Sequence, residues 1–167
     1  MSGKTIEVLN TDAEGRVVLS DALHYAKSFK PDFIIDIATL TGACFVALGA
    51  EAAGLMGTDP ELMARLRAAG DRTYERLWEL PFYDEYNDYI KSEFADMRNV
   101  VSNQPGGGAG TPTAGKFLSY FTEGFKWAHL DIAGVSWCDV DFGYKPKGAT
   151  AFGVRLFTDF LKAEAGK

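Results

Sequence analysis

The sequence has few cysteines and no long apolar run. Only two cysteines, Cys44 and Cys138, occur among its 167 residues. Because two distant thiols do not make a disulfide framework, we expect a reducing, cytoplasmic environment. No stretch approaches the roughly 20 apolar residues that a membrane-spanning helix needs. Residues 1–10 also contain no apolar run of the signal-peptide type. The sequence therefore predicts a protein that does not insert into membranes.

The sequence also has fewer basic than acidic residues. Lysine and arginine number 17 against 23 acidic residues, which gives a formal net charge of -6. This balance disfavours nucleic acids and anionic membranes as the main partners. Hydrophobic residues make up 47% of the chain and charged residues 24%, a composition typical of a globular domain. A chain of this length is sufficient for one domain with a buried core.

Short apolar runs alternate with amphipathic segments along the chain. The pattern predicts strands at residues 5–9, 33–38, 52–57, 77–81 and 127–133. It predicts helices at residues 17–29, 60–74, 84–90, 113–121 and 150–163. Glycine, proline and polar residues predict loops at 100–113 and 139–147. This alternation indicates an α/β fold: a three-layer sandwich with a largely parallel or mixed central sheet and helices on both faces.

The most polar motif is an acidic loop in which Asn10, Asp12, Glu14 and Arg16 occupy every second position. In an extended segment, alternate side chains point to one side. Two neighbouring carboxylates repel each other unless a cation lies between them, and their oxygens suit magnesium, manganese or zinc. Arg16 and the N–H groups of the following helix predict a place for a small anion. In the alternative interpretation, the acids pair with Arg16 and with the helix N-terminus.

The loop reads NTDAEGR and continues as VVLSDAL, and this run resembles the segment that marks the leucine aminopeptidase family of metallopeptidases, the cytosol aminopeptidases. The resemblance continues through IATLTG at 37–42 and WAHLDIAGV at 127–135, so it spans essentially the whole chain. It implies that residues 1–167 form a single unit, the C-terminal part of an aminopeptidase catalytic domain. The implied reaction is two-metal hydrolysis that releases N-terminal residues, preferably leucine, from peptides.

The resemblance also implies roles for individual residues. Asp12 would bind one metal ion, Glu14 would bridge two, and Arg16 would hold a bicarbonate that acts as the base. Backbone groups that help to seat this anion would lie near Ala13, Gly15 and Leu40. The substrate would be bound by Asn10, Thr39, Leu40, Gly42 and Ala133. The implied cofactors are two divalent ions, Mn²⁺ or Zn²⁺, with Mg²⁺ as an alternative, and the family assembles as a homohexamer.

Part of the family's metal site has no counterpart here. A lysine and two further aspartates that bind metal, and a second catalytic lysine, lie upstream of the motif in family members. Only nine residues precede Asn10, and Lys4 matches neither family lysine. The family's N-terminal domain and upstream catalytic segment are therefore expected to be absent, and we expect little or no activity from this chain alone. The alternative is a non-catalytic scaffold or assembly module that retains the fold.

Other polar residues offer weaker signals. Asp36 and Asp131 lie within apolar strands, where each is either a substitute metal ligand or an acceptor of hydrogen bonds. Residues 110–117 (GTPTAGKF) nearly match a phosphate-binding P-loop, but Phe117 stands where a serine or threonine would hold magnesium. Pro112 also removes a backbone donor, so the sequence disfavours nucleotide binding.

Overall fold

Helices and strands alternate along the chain, as the sequence predicts. The structure is a computed structural model that describes residues 1–101 and 108–166. In chain order the elements are β1 (Ile6–Glu7), α1 (Glu14–Ala26), β2 (Ile34–Ala38), α2 (Gly42–Leu48), β3 (Ala53–Gly57), α3 (Pro60–Thr73), β4 (Leu77–Glu79), α4 (Tyr86–Tyr89), β5 (Met97–Arg98), α5 (Gly110–Ser119), β6 (Trp127–Asp131), β7 (Trp137–Cys138), β8 (Gly148–Ala149) and α6 (Val154–Ala165). Short 3₁₀ turns at Thr11–Ala13 and Lys27–Phe29 flank α1.

The central sheet has four strands in the order β2-β6-β3-β4. β6 runs parallel to β2 and antiparallel to β3, and β3 runs parallel to β4. The sheet is therefore mixed, as the sequence interpretation allowed. Because β2 and β6 are parallel, their carboxyl ends meet at one edge of the sheet, with Ala38 opposite Asp131. Two smaller pairs complete the strand pairing of the described residues: β1 is parallel to β5, and β7 is antiparallel to β8.

Helices cover both faces of this sheet, which confirms the predicted three-layer sandwich. Along β6, Ala128 and Leu130 point towards α3 and α6, while Trp127 points towards α1 and α5. This alternation is the period of two that a pleated strand imposes. β3 and β6 are buried over their full length, because helices pack on both faces and strands on both edges. Their apolar runs were the basis for predicting them.

The largest difference from the predicted elements lies at α5. Residues 100–113 were predicted to be a loop, but the helix already begins at Gly110; residues 102–107 lie outside the described part of the chain. Pro112 is compatible with this start, because a first-turn N–H has no acceptor within the helix. Thr113 lies inside this helix rather than at its start. Its hydroxyl donates to the carbonyl oxygens of Ala109 and Gly110, one turn back.

The other predicted elements differ mainly at their ends. The strand predicted at 5–9 is reduced to two residues in β1, and the strand predicted at 127–133 ends at Asp131. α1 begins at Glu14, three residues before its predicted start, and α6 begins at Val154, four residues later than predicted. None of the helices in the described part of the chain has the length and apolarity needed to cross a lipid bilayer.

Candidate metal and anion site

The acidic loop turns rather than running as an extended strand. Asn10 is the N-cap of the 3₁₀ turn Thr11–Ala13, and its Oδ1 accepts a hydrogen bond from the Asp12 amide at 2.9 Å. The first turn of α1 follows directly from Glu14. The predicted placement of alternate side chains on one side of an extended segment is therefore wrong. Asparagine favours such turns because its side chain bonds to the backbone two residues on.

A cavity of about 250 Å³ joins the acidic loop to the segment that follows β2. It is lined by Asp12, Ala13, Glu14, Gly15, Arg16, Leu19, Ala38, Thr39 and Leu40. The cavity therefore brings together seven of the ten candidate site residues, at the carboxyl end of a strand, where open α/β sheets place their ligands. Three candidates do not line it. Asn10 caps the turn, Gly42 opens α2, and Ala133 follows β6.

Asp12 and Glu14 lie on the wall of this cavity with exposed side chains, so a cation in solvent can reach both. They fit as two oxygen ligands of a hard or borderline divalent metal ion. Within residues 1–101 and 108–166, no group of three His, Cys, Asp or Glu side chains is placed to hold a metal ion. Residues 102–107 contain none of these amino acids. At this cavity, the described residues therefore offer two accessible carboxylates to a metal ion.

Arg16 is a buried cation at the inner end of the cavity. Its side chain emerges from the first turn of α1, and the residue is only 8% exposed. Nη1 donates to the carbonyl oxygen of Asn99 at 2.7 Å, whereas the buried Nε has no acceptor among the described residues. Burial lowers the pKa of Arg16, and the negative charge of Asp131 acts in the opposite direction. A buried guanidinium with an unpaired N–H is well suited to a small anion.

Asp131 organises the other wall of the site. Its fully buried carboxylate lies at the end of β6 and accepts hydrogen bonds from the amides of Leu40 (3.1 Å), Thr41 (3.4 Å) and Ala133 (3.2 Å). The Thr41 hydroxyl donates to it at 2.7 Å. Of the two interpretations, hydrogen-bond acceptance is confirmed for Asp131. It also links two segments, at Leu40 and Ala133, that the family resemblance assigns to substrate binding.

The carboxylate of Asp36 is also held by hydrogen bonds. Its carboxylate accepts a hydrogen bond from Trp127 Nε1 at 2.7 Å, and its other oxygen lies 2.6 Å from His129 Nδ1. His129 is fully buried in β6. The pair therefore forms a polar contact between β2 and β6, and hydrogen bonding again accounts for a largely covered acid.

Two residues near the site were not identified from the sequence. Asn99 is fully buried after β5 and bonds to both Asn10 and Arg16. Thr111 lies in α5 with its hydroxyl 2.7 Å from that of Thr41. Both reach the site through contacts between residues distant in sequence, and neither belongs to a local motif that would have indicated its role.

Comparison with known proteins is consistent with this geometry. Residues 1–158 match the family model described as the cytosol aminopeptidase family, catalytic domain. The chain belongs to the cytosol aminopeptidase family. The resemblance recognised from the acidic motif is therefore confirmed.

Several bacterial members of the cytosol aminopeptidase family are more than half identical to this chain. A probable cytosol aminopeptidase of Geobacter sulfurreducens is 55% identical over 98% of the chain and 32% of its own length. That of Nitrosococcus oceani is 54% identical over 96% of the chain and 30% of its own length. The corresponding protein of Nitrosomonas europaea is 52% identical over 100% and 32%. The chain thus spans about a third of the length of the curated relatives it matches.

The P-loop-like segment of this family member has a structural role. Residues 110–117 are helical throughout, so they do not form the loop of backbone N–H groups that cradles phosphate in a P-loop. Lys116 is buried, and its ammonium group lies 3.0 Å from the Asp84 carboxylate and 4.1 Å from the centre of the Phe82 ring. The lysine is therefore engaged by an acid and an aromatic ring away from the acidic loop.

The two cysteines are expected to react at very different rates with a thiol reagent. Cys44 is 1% exposed in α2, and burial, aided by the charge of Asp131, raises its pKa to about 11. At pH 8 only about one such thiol in a thousand is ionised, and the thiolate is the reactive form. Cys138 is partly exposed. An Ellman titration should therefore count one thiol in the native protein and two in guanidinium chloride.

Cys138→Ser provides the control for this assignment, since it should remove the fast native reaction while leaving the reaction of the unfolded chain at one thiol. Equal rates for both native thiols would contradict the burial of Cys44.

Proposed function

We propose that this chain forms part of a metal-dependent aminopeptidase that releases N-terminal residues, preferably leucine, from peptides. The observation that carries the proposal is the cavity shared by the acidic loop and the segment after β2. It gathers two accessible carboxylates, a buried guanidinium and the end of a strand around one space. These are the groups that a peptidase of this family would need for metal, anion and substrate.

Asp12 and Glu14 are the proposed metal ligands. Asp12 would bind one divalent ion, Mn²⁺ or Zn²⁺, and Glu14 would bridge two. When bound, such ions polarise the scissile carbonyl and lower the pKa of a bound water. The protein's own contribution is to hold both carboxylates at the cavity wall, one by the 3₁₀ turn that Asn10 caps and the other by the first turn of α1.

Arg16 is proposed to hold a bicarbonate ion. Its Nε, which has no acceptor among residues 1–101 and 108–166, can donate to an anion oxygen, while Nη1 stays bonded to Asn99. The first N–H groups of α1 lack acceptors within the helix and add to the same positive potential. A bicarbonate in this place would supply a proton acceptor beside the carboxylates. Since Arg16 is buried, its charge is less screened by solvent than that of a surface arginine.

The substrate is proposed to lie against Thr39, Leu40, Gly42 and Ala133, with Asn10 at the margin. Asp131 holds this surface, because it binds the amides on both sides of the β2–β6 edge. The Leu40 N–H already donates to Asp131, so a backbone contact to the substrate at Leu40 falls to its carbonyl oxygen. We also propose that the complete enzyme is cytoplasmic and assembles as a homo-oligomer, a hexamer by resemblance to its family.

The chain by itself is expected to be inactive, and a chimera tests the proposal directly. In the chimera, this chain replaces the matching third of the Geobacter sulfurreducens relative, to which it is 55% identical. The rest of the relative would supply the ligands that the described residues lack. We expect the chimera to hydrolyse leucine p-nitroanilide with added Mn²⁺, and the isolated chain to show no turnover under the same conditions.

Two results would contradict different parts of this proposal, the first the inactivity of the isolated chain and the second its catalytic function. Turnover by the isolated chain would show that its two carboxylates suffice or that its oligomer completes the site. A folded chimera without activity would favour a scaffold that keeps the family fold without its chemistry. Comparing leucine, alanine and phenylalanine anilides in an active chimera would test the proposed preference for leucine.

A further inference from the structure

Asn99 extends the pairing of β1 with β5 to the point where the acidic loop begins. β5 ends at Arg98, which lies opposite Glu7 in the parallel pair. The Asn99 amide donates to the Glu7 carbonyl oxygen at 3.0 Å, so the backbone pairing reaches one residue further. The residue is fully buried, although its side chain is polar.

Beyond the end of β5, the side chain of Asn99 continues the hydrogen bonding to the chain that leaves β1. Its Oδ1 accepts from the amides of Leu9 at 2.9 Å and Asn10 at 3.4 Å, and its Nδ2 donates to the Asn10 carbonyl oxygen at 2.7 Å. A side-chain amide carries a carbonyl acceptor and two N–H donors on one planar group, so it can bond to a backbone C=O and to backbone N–H groups at the same time. Asn99 therefore holds both backbone groups of Asn10 as the chain leaves β1.

These bonds lead to the two parts of the proposed site. Asn10 in turn holds Asp12, because Asn10 Oδ1 accepts a hydrogen bond from the Asp12 amide at 2.9 Å. The carbonyl oxygen of Asn99 accepts from Arg16 Nη1 at 2.7 Å. Asn99 itself does not line the cavity. It touches the residue that caps the metal-binding turn on one side and the anion-binding guanidinium on the other.

We propose that Asn99 is a positioning residue that sets Asp12, through Asn10, and Arg16, through its own carbonyl oxygen, in one fixed arrangement. This inference rests on the proposed function for its catalytic meaning. Metal ligands bind well only when partners behind them fix their orientation, and loss of such a partner commonly weakens metal affinity tenfold to hundredfold. Asn99 would fill that role for the acidic loop from a segment 89 residues away.

Amide exchange in the isolated chain tests the positioning without any need for activity. In Asn99→Ala we expect the Asp12 amide to exchange with water about tenfold faster in NMR measurements, since its acceptor on Asn10 is no longer held. Asp12 is the informative position, because it does not touch Asn99 directly. Asn99→Asp keeps the volume and the Oδ1 acceptor but replaces the Nδ2 donor with an oxygen that repels the Asn10 carbonyl oxygen, so it should also accelerate exchange at Asp12 and serves if the alanine variant does not fold.

A control of similar destabilisation separates positioning from general loss of stability. Glu75 is a buried acid that accepts from the amides of Gly153 and Leu156 at the start of α6, far from the loop. Glu75→Gln should lower stability and leave exchange at Asp12 unchanged. Unchanged exchange in both Asn99 variants would overturn the inference, and so would equal acceleration in Glu75→Gln.

Mn²⁺ provides the second readout, because bound Mn²⁺ broadens nearby amide signals even when affinity is low. We expect a titration of the wild-type chain to broaden the Asp12 and Glu14 amides, and Asn99→Ala to need at least about tenfold more Mn²⁺ for the same effect. Equal Mn²⁺ response in both proteins would contradict the positioning role. No site-specific broadening in the wild type would instead contradict the proposed metal ligands, while the exchange experiment would still decide the role of Asn99.

Discussion

Replacing Glu14 with glutamine in the chimera is expected to lower the rate of leucine p-nitroanilide hydrolysis by about three orders of magnitude. The substitution keeps the shape of the side chain but removes the negative charge that would bridge two cations. Metal ions stabilise the developing charge of such a reaction by several kcal/mol, and about 4 kcal/mol corresponds to a thousandfold in rate. Asp12→Asn should act in the same direction, because Asp12 faces the same cavity.

The double variant should be little slower than either single variant, since ligands that act as one unit are not additive. Asp21→Asn is the matched control, because Asp21 lies in the same helix, α1, and its side chain is exposed. It makes the same change of charge outside the cavity and should alter the rate by no more than about twofold. A Glu14→Gln chimera that keeps more than a tenth of its activity would remove Glu14 from the proposed metal site.

The strands of the central sheet could be predicted because the burial of a strand is visible in the sequence as an apolar run. β2, β3 and β6 correspond to short apolar runs at 33–38, 52–57 and 127–133, which is how strands covered on both faces appear. The order of the strands could not be predicted in the same way. β3 pairs antiparallel with β6, and this pairing depends on contacts between residues more than 70 positions apart rather than on any local pattern.

The conformation of the acidic loop could not be predicted from the spacing of its residues. The spacing of its polar residues suggested an extended segment, whereas the tendency of asparagine to form turns was the local sign of the conformation that the structure shows. The turn depends on the Asn10 side chain, which caps it, and on Asn99, which holds the backbone of Asn10. The sequence therefore identified most of the residues that line the cavity, but not the contacts that hold them in place.

The start of α5 shows how packing overrides local propensity. Glycine and proline residues up to Pro112 predicted a loop at 100–113, yet the helix begins at Gly110. A Cβ atom on Gly115 would lie 2.9 Å from Met56 Sδ, and one on Gly110 would lie 3.0 Å from Ala43 Cβ. These glycines allow α5 to approach β3 and α2 closely. The same approach places Thr111 against Thr41, next to the residues that Asp131 holds.

Replacing Asp131 with alanine is expected to lower the free energy of unfolding by about 3 kcal/mol or more. The carboxylate accepts from three amides and one hydroxyl, and its removal leaves several of these donors without an acceptor inside the protein. It also removes the negative charge that opposes the effect of burial on Arg16. Asp131→Asn should cost less, because its oxygen can still accept from the amides while its nitrogen cannot replace the second acceptor oxygen.

Urea denaturation would measure the effect of Asp131→Ala as a shift of the midpoint at constant slope. Asp139→Ala provides the control, since Asp139 is an exposed acid eight residues further along the same chain segment and, in the described part of the chain, accepts a hydrogen bond from Trp137 Nε1 alone. Its effect should stay within about 0.5 kcal/mol. If Asp131→Ala cost less than about 1 kcal/mol, water would be able to replace the carboxylate at the end of β6. In that case Asp131 would not be the group that fixes Leu40 and Ala133, and the substrate surface proposed there would need a different support.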